Sequence, residues 1–187
     1  MQFAKSRADV IRSVPQRWLL NYWHRLCGQK PLPLWKDLTG SELSRMTDNL
    51  LFCDVMREGD GERFLIRYKG ARIIEAYGEC DGRYLDDTLP PLARETALST
   101  YRHAIATRRP IYTVVKAQDR AGKPVDFERL LLPFSHQGES VDSILAALEW
   151  VSIEGGFEGR ELLRSQAAAP AYSVCATIEQ IESDIIP

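Results

Sequence analysis

Histidines, cysteines, and a set of tyrosines and arginines between residues 63 and 131 are the side chains in this 187-residue sequence that could do chemistry. His24, His103 and His136 lie far from Cys27, Cys53, Cys80 and Cys175, and no two of the cysteines make a CxxC pair. Zinc needs clustered ligands, so no metal site is expected. With no export segment at the N-terminus, the four thiols read as reduced and mostly buried. Catalytic signatures are missing: there is no GxSxG elbow, HExxH pair or Walker A loop, and Gly59/Gly61 lack the third glycine of a dinucleotide fingerprint. Gly155, Gly156 and Gly159 fit neither phosphate-loop spacing and read as a hinge. What remains is tyrosine, an apolar body with a hydrogen-bonding tip, and arginine, a planar fork for anions. That is chemistry for holding a small molecule, so no catalytic residue is expected.

Composition narrows the class further. Twenty-four Lys and Arg against 26 Asp and Glu give a net charge of −2, which excludes a globally basic nucleic-acid binder. No apolar run approaches the roughly 18 residues of a membrane span, so the expected location is cytoplasmic. The average conceals an asymmetry, because residues 1–36 hold seven Lys and Arg against one Asp, a local +6 that leaves −8 on the rest.

Inside that basic stretch Ser13 caps an amphipathic helix with Pro15 in its first turn. Trp18, Leu19, Tyr22, Trp23 and Leu26 share one face, Gly28 closes the helix, and Pro31 and Pro33 forbid its continuation. The aromatic stripe is the candidate interface. It would cover a sheet face, pair with its twin in a homodimer, or receive a signalling partner; a basic helix could also rest on an anionic membrane.

The middle of the chain supplies the elements that would position a site. Ser41–Asp48 reads as a short helix capped by Ser41, and Leu50–Met56 and Arg63–Lys69 as a hairpin about Glu58-Gly59-Asp60-Gly61. In the second strand Phe64, Ile66 and Tyr68 alternate onto one face. A short helix runs over Ala71–Tyr77 and stops at Gly78, and a long one spans Leu92–Thr107 with Ala97, Tyr101, Ala104 and Ile105 in its stripe. Strands Ile111–Gln118, Val125–Phe134 and Val141–Ile153 then form an antiparallel meander. The expected fold class is α+β: a five-stranded antiparallel sheet with helices on one face, an N-terminal amphipathic helix and a C-terminal extension. The expected divisions are 1–40 for the basic helix and Pro-rich connector, 41–153 for the domain, and 154–187 for the extension. Within the extension Arg160–Ala169 suits a helix, and Ile178, Ile181 and Ile185 a small helical stripe.

Two strands, short helices, a long helix and three strands is the element order of a PAS domain. FLIRYKGARIIEAYG, RRPIYTVV and VDFERLLLPFSHQGESVDSILAALEW look like that fold's second strand with its helix and its closing strands. Residues 15–153 resemble, more narrowly, a bacterial family of stand-alone PAS-like proteins common in alphaproteobacteria. The carriers are Tyr22-Trp23, the G-x-R-I step at Gly70–Ile73, the RP-hydrophobic-Y step at Arg109–Tyr112 and the ER-L-L-L-P strand at Glu128–Pro133.

The resemblance implies a sensing or docking module with a pocket between sheet and helices. Tyr68, Ile73, Tyr77, Tyr101, Ile105, Tyr112, Arg129 and Leu131 are the candidate lining, with Arg72 and Arg129 as candidate anion holders. The same tyrosines could be plain core, and Arg129 could pair with Glu128, Asp126 or Glu149. Neither haem nor a covalent flavin is expected: His103 falls at the edge of the helix stripe, and Asp81 and Gly82 break the reactive-cysteine pattern around Cys80. The expected function is a non-catalytic sensory or regulatory module that binds a small molecule or partner and signals by protein–protein contact. The rivals are a ligand-binding or enzymatic pocket protein, using Tyr101 with Asp126 or Glu128, and a peripheral membrane adaptor. Fold alone does not choose among them.

Overall fold

The computed structural model describes residues 1–59, 61–78, 82–160, 162 and 169–179. Its elements in chain order are β1 (Ala4–Ser6), α1 (Val14–Cys27), α2 (Gly40–Leu43), β2 (Leu50–Glu58), β3 (Gly61–Lys69), α3 (Ala71–Tyr77), α4 (Leu85–Thr88), α5 (Pro91–Thr107), β4 (Ile111–Gln118), β5 (Pro124–Phe134), β6 (Ser143–Val151) and β7 (Ala171–Ile178). One sheet orders its strands β1-β7-β4-β5-β6-β2-β3. The five from β4 to β3 are the antiparallel set read from sequence, and the two added beside β4 come from the chain ends. β7 lies antiparallel to β4, and β1 lies parallel to β7.

The expected five strands are therefore seven. The extra strand β7 is legible afterwards in Tyr172, Val174, Thr177 and Ile178, whose aromatic and β-branched side chains suit a pleated surface. The tail reading of a helical stripe is corrected at Ile178, which is in β7 and buried; Ile181 and Ile185 lie outside the described residues, as does most of Arg160–Ala169. The Ser41–Asp48 helix is likewise shorter than expected, reduced to α2 and a 3-10 turn over Thr47–Asn49, with Thr39 rather than Ser41 at the N-cap.

The start of α1 is as its sequence requires: the Ser13 hydroxyl accepts from the Gln16 N–H at 3.3 Å, and Gly28 closes the helix at φ 55°. This helix does not join the others. It packs on the opposite face of the sheet, where Trp23 Nε1 donates to the Pro133 carbonyl at 2.8 Å and Gln16 Nε2 to the Ala147 carbonyl at 2.9 Å. From the Pro-rich connector Trp35 stacks on Phe52 with ring centroids 3.8 Å apart, finishing that layer. The sheet is thus covered on both faces, by α1 and its connector on one and by α3–α5 on the other.

A register shift between β2 and β3 resets one side chain. Phe52 faces Tyr68 while Cys53 faces Ile66, so Arg67 is an extra residue in β3. Beyond it the alternation inverts: Phe64 and Ile66 are buried, Tyr68 is 43% exposed, and Lys69 is buried in its place. Gly70 follows where backbone meets backbone. A Cβ there would run into the Thr47 and Asp48 carbonyls, so only glycine permits the step into α3.

Candidate functional site

Alternation along β5 sorts the charged residues between the two faces. Asp126 and Glu128 point toward α1: Asp126 receives hydrogen bonds from Arg12 at 2.7 Å and Lys116 at 2.6 Å, and Glu128 accepts from the Tyr112 hydroxyl at 2.8 Å. Burial alone would raise the Asp126 carboxyl, but the Lys116 and Arg12 bonds outweigh it and hold the group below its ordinary value. Burial and the Glu128 bond push the Tyr112 phenol well up, so it stays a neutral donor. Arg129 points the other way, toward α5.

On that face lies a cavity of about 390 Å³ between the first half of α5, β4, β5 and the C-terminal segment at residues 169–172. Its wall includes Tyr77, Leu89, Ala97, Val115, Phe127, Arg129 and Tyr172. A small cleft lined by Ile66, Lys69, Ile73, Leu85 and Tyr101 shares Tyr77, Leu89 and Arg129 with it. The volume falls within the range of small-molecule sites, roughly 300–1,000 Å³.

Arg129 is the polar centre of this wall and is only 4% exposed. Its Nη2 donates to Thr100 Oγ1 at 2.9 Å and reaches the Tyr172 hydroxyl at 3.5 Å, and its guanidinium carbon sits 5.5 Å from the Tyr101 ring centre. Among the described residues no carboxylate lies within ion-pair distance, and Nε is buried without a partner. Burial works to lower its pKa, and the hydroxyls of Tyr172, Tyr101 and Tyr77 more than offset that, so the guanidinium stays charged. The ion pair considered for Arg129 does not form, because the pleat sends Asp126 and Glu128 through to the other face and Glu149 lies beside Glu128 there.

The same separation dismantles the proposed titratable pair. Tyr101 is on α5 and buried, while Asp126 and Glu128 face α1 across the sheet. Of the lining expected from sequence, Ile73, Tyr77, Tyr101 and Arg129 come together. Tyr68 is turned out by the bulge and donates to the Thr47 carbonyl at 3.3 Å. Tyr112 belongs to the α1 face, and Arg72 is exposed on the outer side of α3 beside Glu149. Leu131 shares Arg129's face but is buried in the core, and Ile105 is half-buried beyond the cavity wall. No local pattern marks Thr100 or Tyr172: Thr100 is one residue before Tyr101 on α5, and Tyr172 reaches the wall because the C-terminal segment is a strand.

His103 lies outside the wall. Its Nε2 is 2.9 Å from Thr177 Oγ1 and its ring stacks on Phe3 at 3.9 Å, which ties α5 to β7 and the N-terminus. Burial lowers its pKa and favours the neutral ring. Cys80, the residue of the flavin-adduct reading, lies outside the described residues. Among the described residues no cluster of His, Cys, Asp and Glu could hold a metal ion.

A family model described as a PAS domain matches residues 11–149, about three-quarters of the chain. The chain belongs to the PAS domain family. Two solved structures resemble this PAS domain at low identity. One is a light-oxygen-voltage domain studied with a flavin analogue, at 15% identity over 61% of this chain and 84% of that one, with a TM-score of 0.43. The other is the light state of the LOV domain of the blue-light photoreceptor Aureochrome1, at 16% identity over 63% and 91%, with a TM-score of 0.41. No curated protein matches the chain.

In this PAS domain the stripe of α1 is largely used up within the fold. Leu19, Tyr22 and Trp23 are buried against the sheet and Leu26 is half-buried, whereas Trp18 is 37% exposed and stacked on Tyr22. No helix among the described residues is long and apolar enough to cross a membrane.

Proposed function

We propose that this PAS domain is a non-catalytic cytoplasmic sensory module that takes a small molecule into the cavity under α5 and reports it by protein–protein contact. The cavity walled by α5, β4, β5 and the C-terminal segment carries this reading: it has the size of a ligand site and a largely apolar lining in which Arg129 is the charge left without a counter-charge among the described residues. The absence of catalysis is supported by the pleat, which holds Tyr101 apart from Asp126 and Glu128. An occupant would touch residues 169–172, the start of β7, and β7 in turn holds β1. The two chain ends are therefore the relay, and the exposed Trp18 is the contact left on α1 for a partner or a second copy.

Native mass spectrometry of the full chain combined with hydrogen exchange tests the proposal. We expect a retained or added small molecule, with slower exchange in Ala171–Ile178 when it is bound. Ala97→Trp, which places an indole in the cavity, should abolish both. Binding that survives this substitution, or turnover of a substrate, would overturn the reading. Size-exclusion chromatography with light scattering on Trp18→Ala protein tests the contact: a dimer that persists unchanged rules out Trp18 as its interface.

A further inference from the structure

Resting on the reading of the cavity as a ligand site, we infer that its ligand is a monocarboxylate on an apolar body and that Arg129 is the receptor for the carboxylate. A charge in a protein interior is normally matched by an opposite charge, and among the described residues no carboxylate matches this one. Nη2 is occupied by Thr100 and Tyr172, but Nε and Nη1, with three of the five N–H bonds of the guanidinium, have no described partner. Directly across the β4–β5 ladder stands Thr113, fully buried, whose hydroxyl also lacks a partner. Thr113 is not part of the cavity wall, so it is the Arg129 fork that awaits an acceptor there. A carboxylate, with two oxygens in the plane of the guanidinium, is the group that fits such a fork.

The remaining wall sets the sign and number of charges. No acidic side chain among the described residues lines the cavity or the cleft beside it, while the basic Lys69 and Lys116 do. Lys116 Nζ is paired with Asp126 at 2.6 Å, and Lys69, which lines the cleft and not the cavity, turns its Nζ to the Gly78 carbonyl at 2.6 Å. Arg129 is then the one cation facing the cavity without a counter-charge among the described residues, and a single carboxylate matches it in charge and in shape. The first turn of α5 also faces the cavity at Pro90, Leu92 and Ala93, and the positive end of that 17-residue helix adds to the preference for an anion. Leu89, Ala97, Val115 and Phe127 would enclose the apolar body.

Calorimetric titration of the full chain with phenylacetate and hexanoate, against phenylacetamide, hexanamide and inorganic phosphate, tests the inference. We expect the carboxylates to bind at least about tenfold tighter than their amides, the measure of a charge-assisted bond, and phosphate not to bind. Arg129→Met should remove the discrimination and raise the melting temperature of the ligand-free protein. Arg129→Lys, which keeps the charge but not the fork, should retain weak carboxylate binding. Equal binding of acid and amide overturns the carboxylate inference and leaves the cavity reading standing. The inference also falls if no probe binds at millimolar concentration, or if Arg129→Met melts lower than the parent. Binding that persists in Ala97→Trp refutes the cavity reading itself.

Discussion

On the face that α1 covers, Gln16 donates to two strand carbonyls, Trp23 to Pro133 and Tyr112 to Glu128, and the buried atoms left without a partner, Gln16 Oε1 and His24 Nδ1, carry no charge. On the face under α5, built from the same strands, Arg129 is left with partnerless N–H groups beside a cavity, next to a partnerless Thr113 hydroxyl. Close packing and polar satisfaction are what a structural layer needs, and space with an unmatched charge is what a receptor needs. Under the proposed function the contrast puts stability on one face and binding on the other, and substitutions can break or sharpen it.

The largest effect should come from Trp23→Ala. Removing this buried indole leaves a hole on the packed face and takes the donor from the Pro133 carbonyl, so we expect a loss of about 3–5 kcal/mol in denaturant unfolding. A matched pair tests the asymmetry directly. Ala147→Leu, placed under Gln16, should cost about 1–3 kcal/mol by overpacking, while Ala97→Leu should be nearly neutral because the cavity accepts the added carbons. Comparable losses for the two would mean the faces are equally packed.

Acid titration reads the ionic side of the α1 layer. Because Asp126 is held below its ordinary value, its contribution to stability is complete above the unfolded carboxyl value, about 3.9, and is lost as pH falls through the lower folded value. Asp126→Asn should therefore flatten the stability profile below about pH 4, and an unchanged profile would show that the Arg12 and Lys116 bonds are too solvated to matter. The smallest signal is kinetic. Burial pushes the Cys27 thiol, on α1, up to about 12, so it should resist alkylation at neutral pH until the protein unfolds. Ready labelling of native Cys27 would indicate that α1 lifts from the sheet.

Local features were readable wherever a residue acts on its own neighbours. Ser13 and Gly28 bound α1, Gly78 stops α3 at φ 81°, and Arg108 ends α5 in a left-handed turn before Pro110. The bulge at Arg67 carried no such mark, because an extra residue in a strand changes the register without changing the alternation of residue types; Tyr68 was misplaced for that reason. The last strand was missed differently. Tyr172-Ser173-Val174-Cys175 has strand chemistry, but a strand needs an edge to pair with, and the free edge of β4 exists only after folding.

What the sequence determined by itself was periodicity and punctuation, hence two strands, helices, three strands and a basic amphipathic helix ahead of them. These follow from interactions within a few residues. Only the tertiary structure decided that α1 lies across the sheet from α5, that both chain ends join the β4 edge, and that Glu128 and Arg129, adjacent in sequence, face opposite layers, the first beside Arg12 and the second with no carboxylate among the described residues. A pleat fixes that neighbours diverge. Which of them meets a counter-charge depends on what distant segments bring to each face, and no local pattern encodes that.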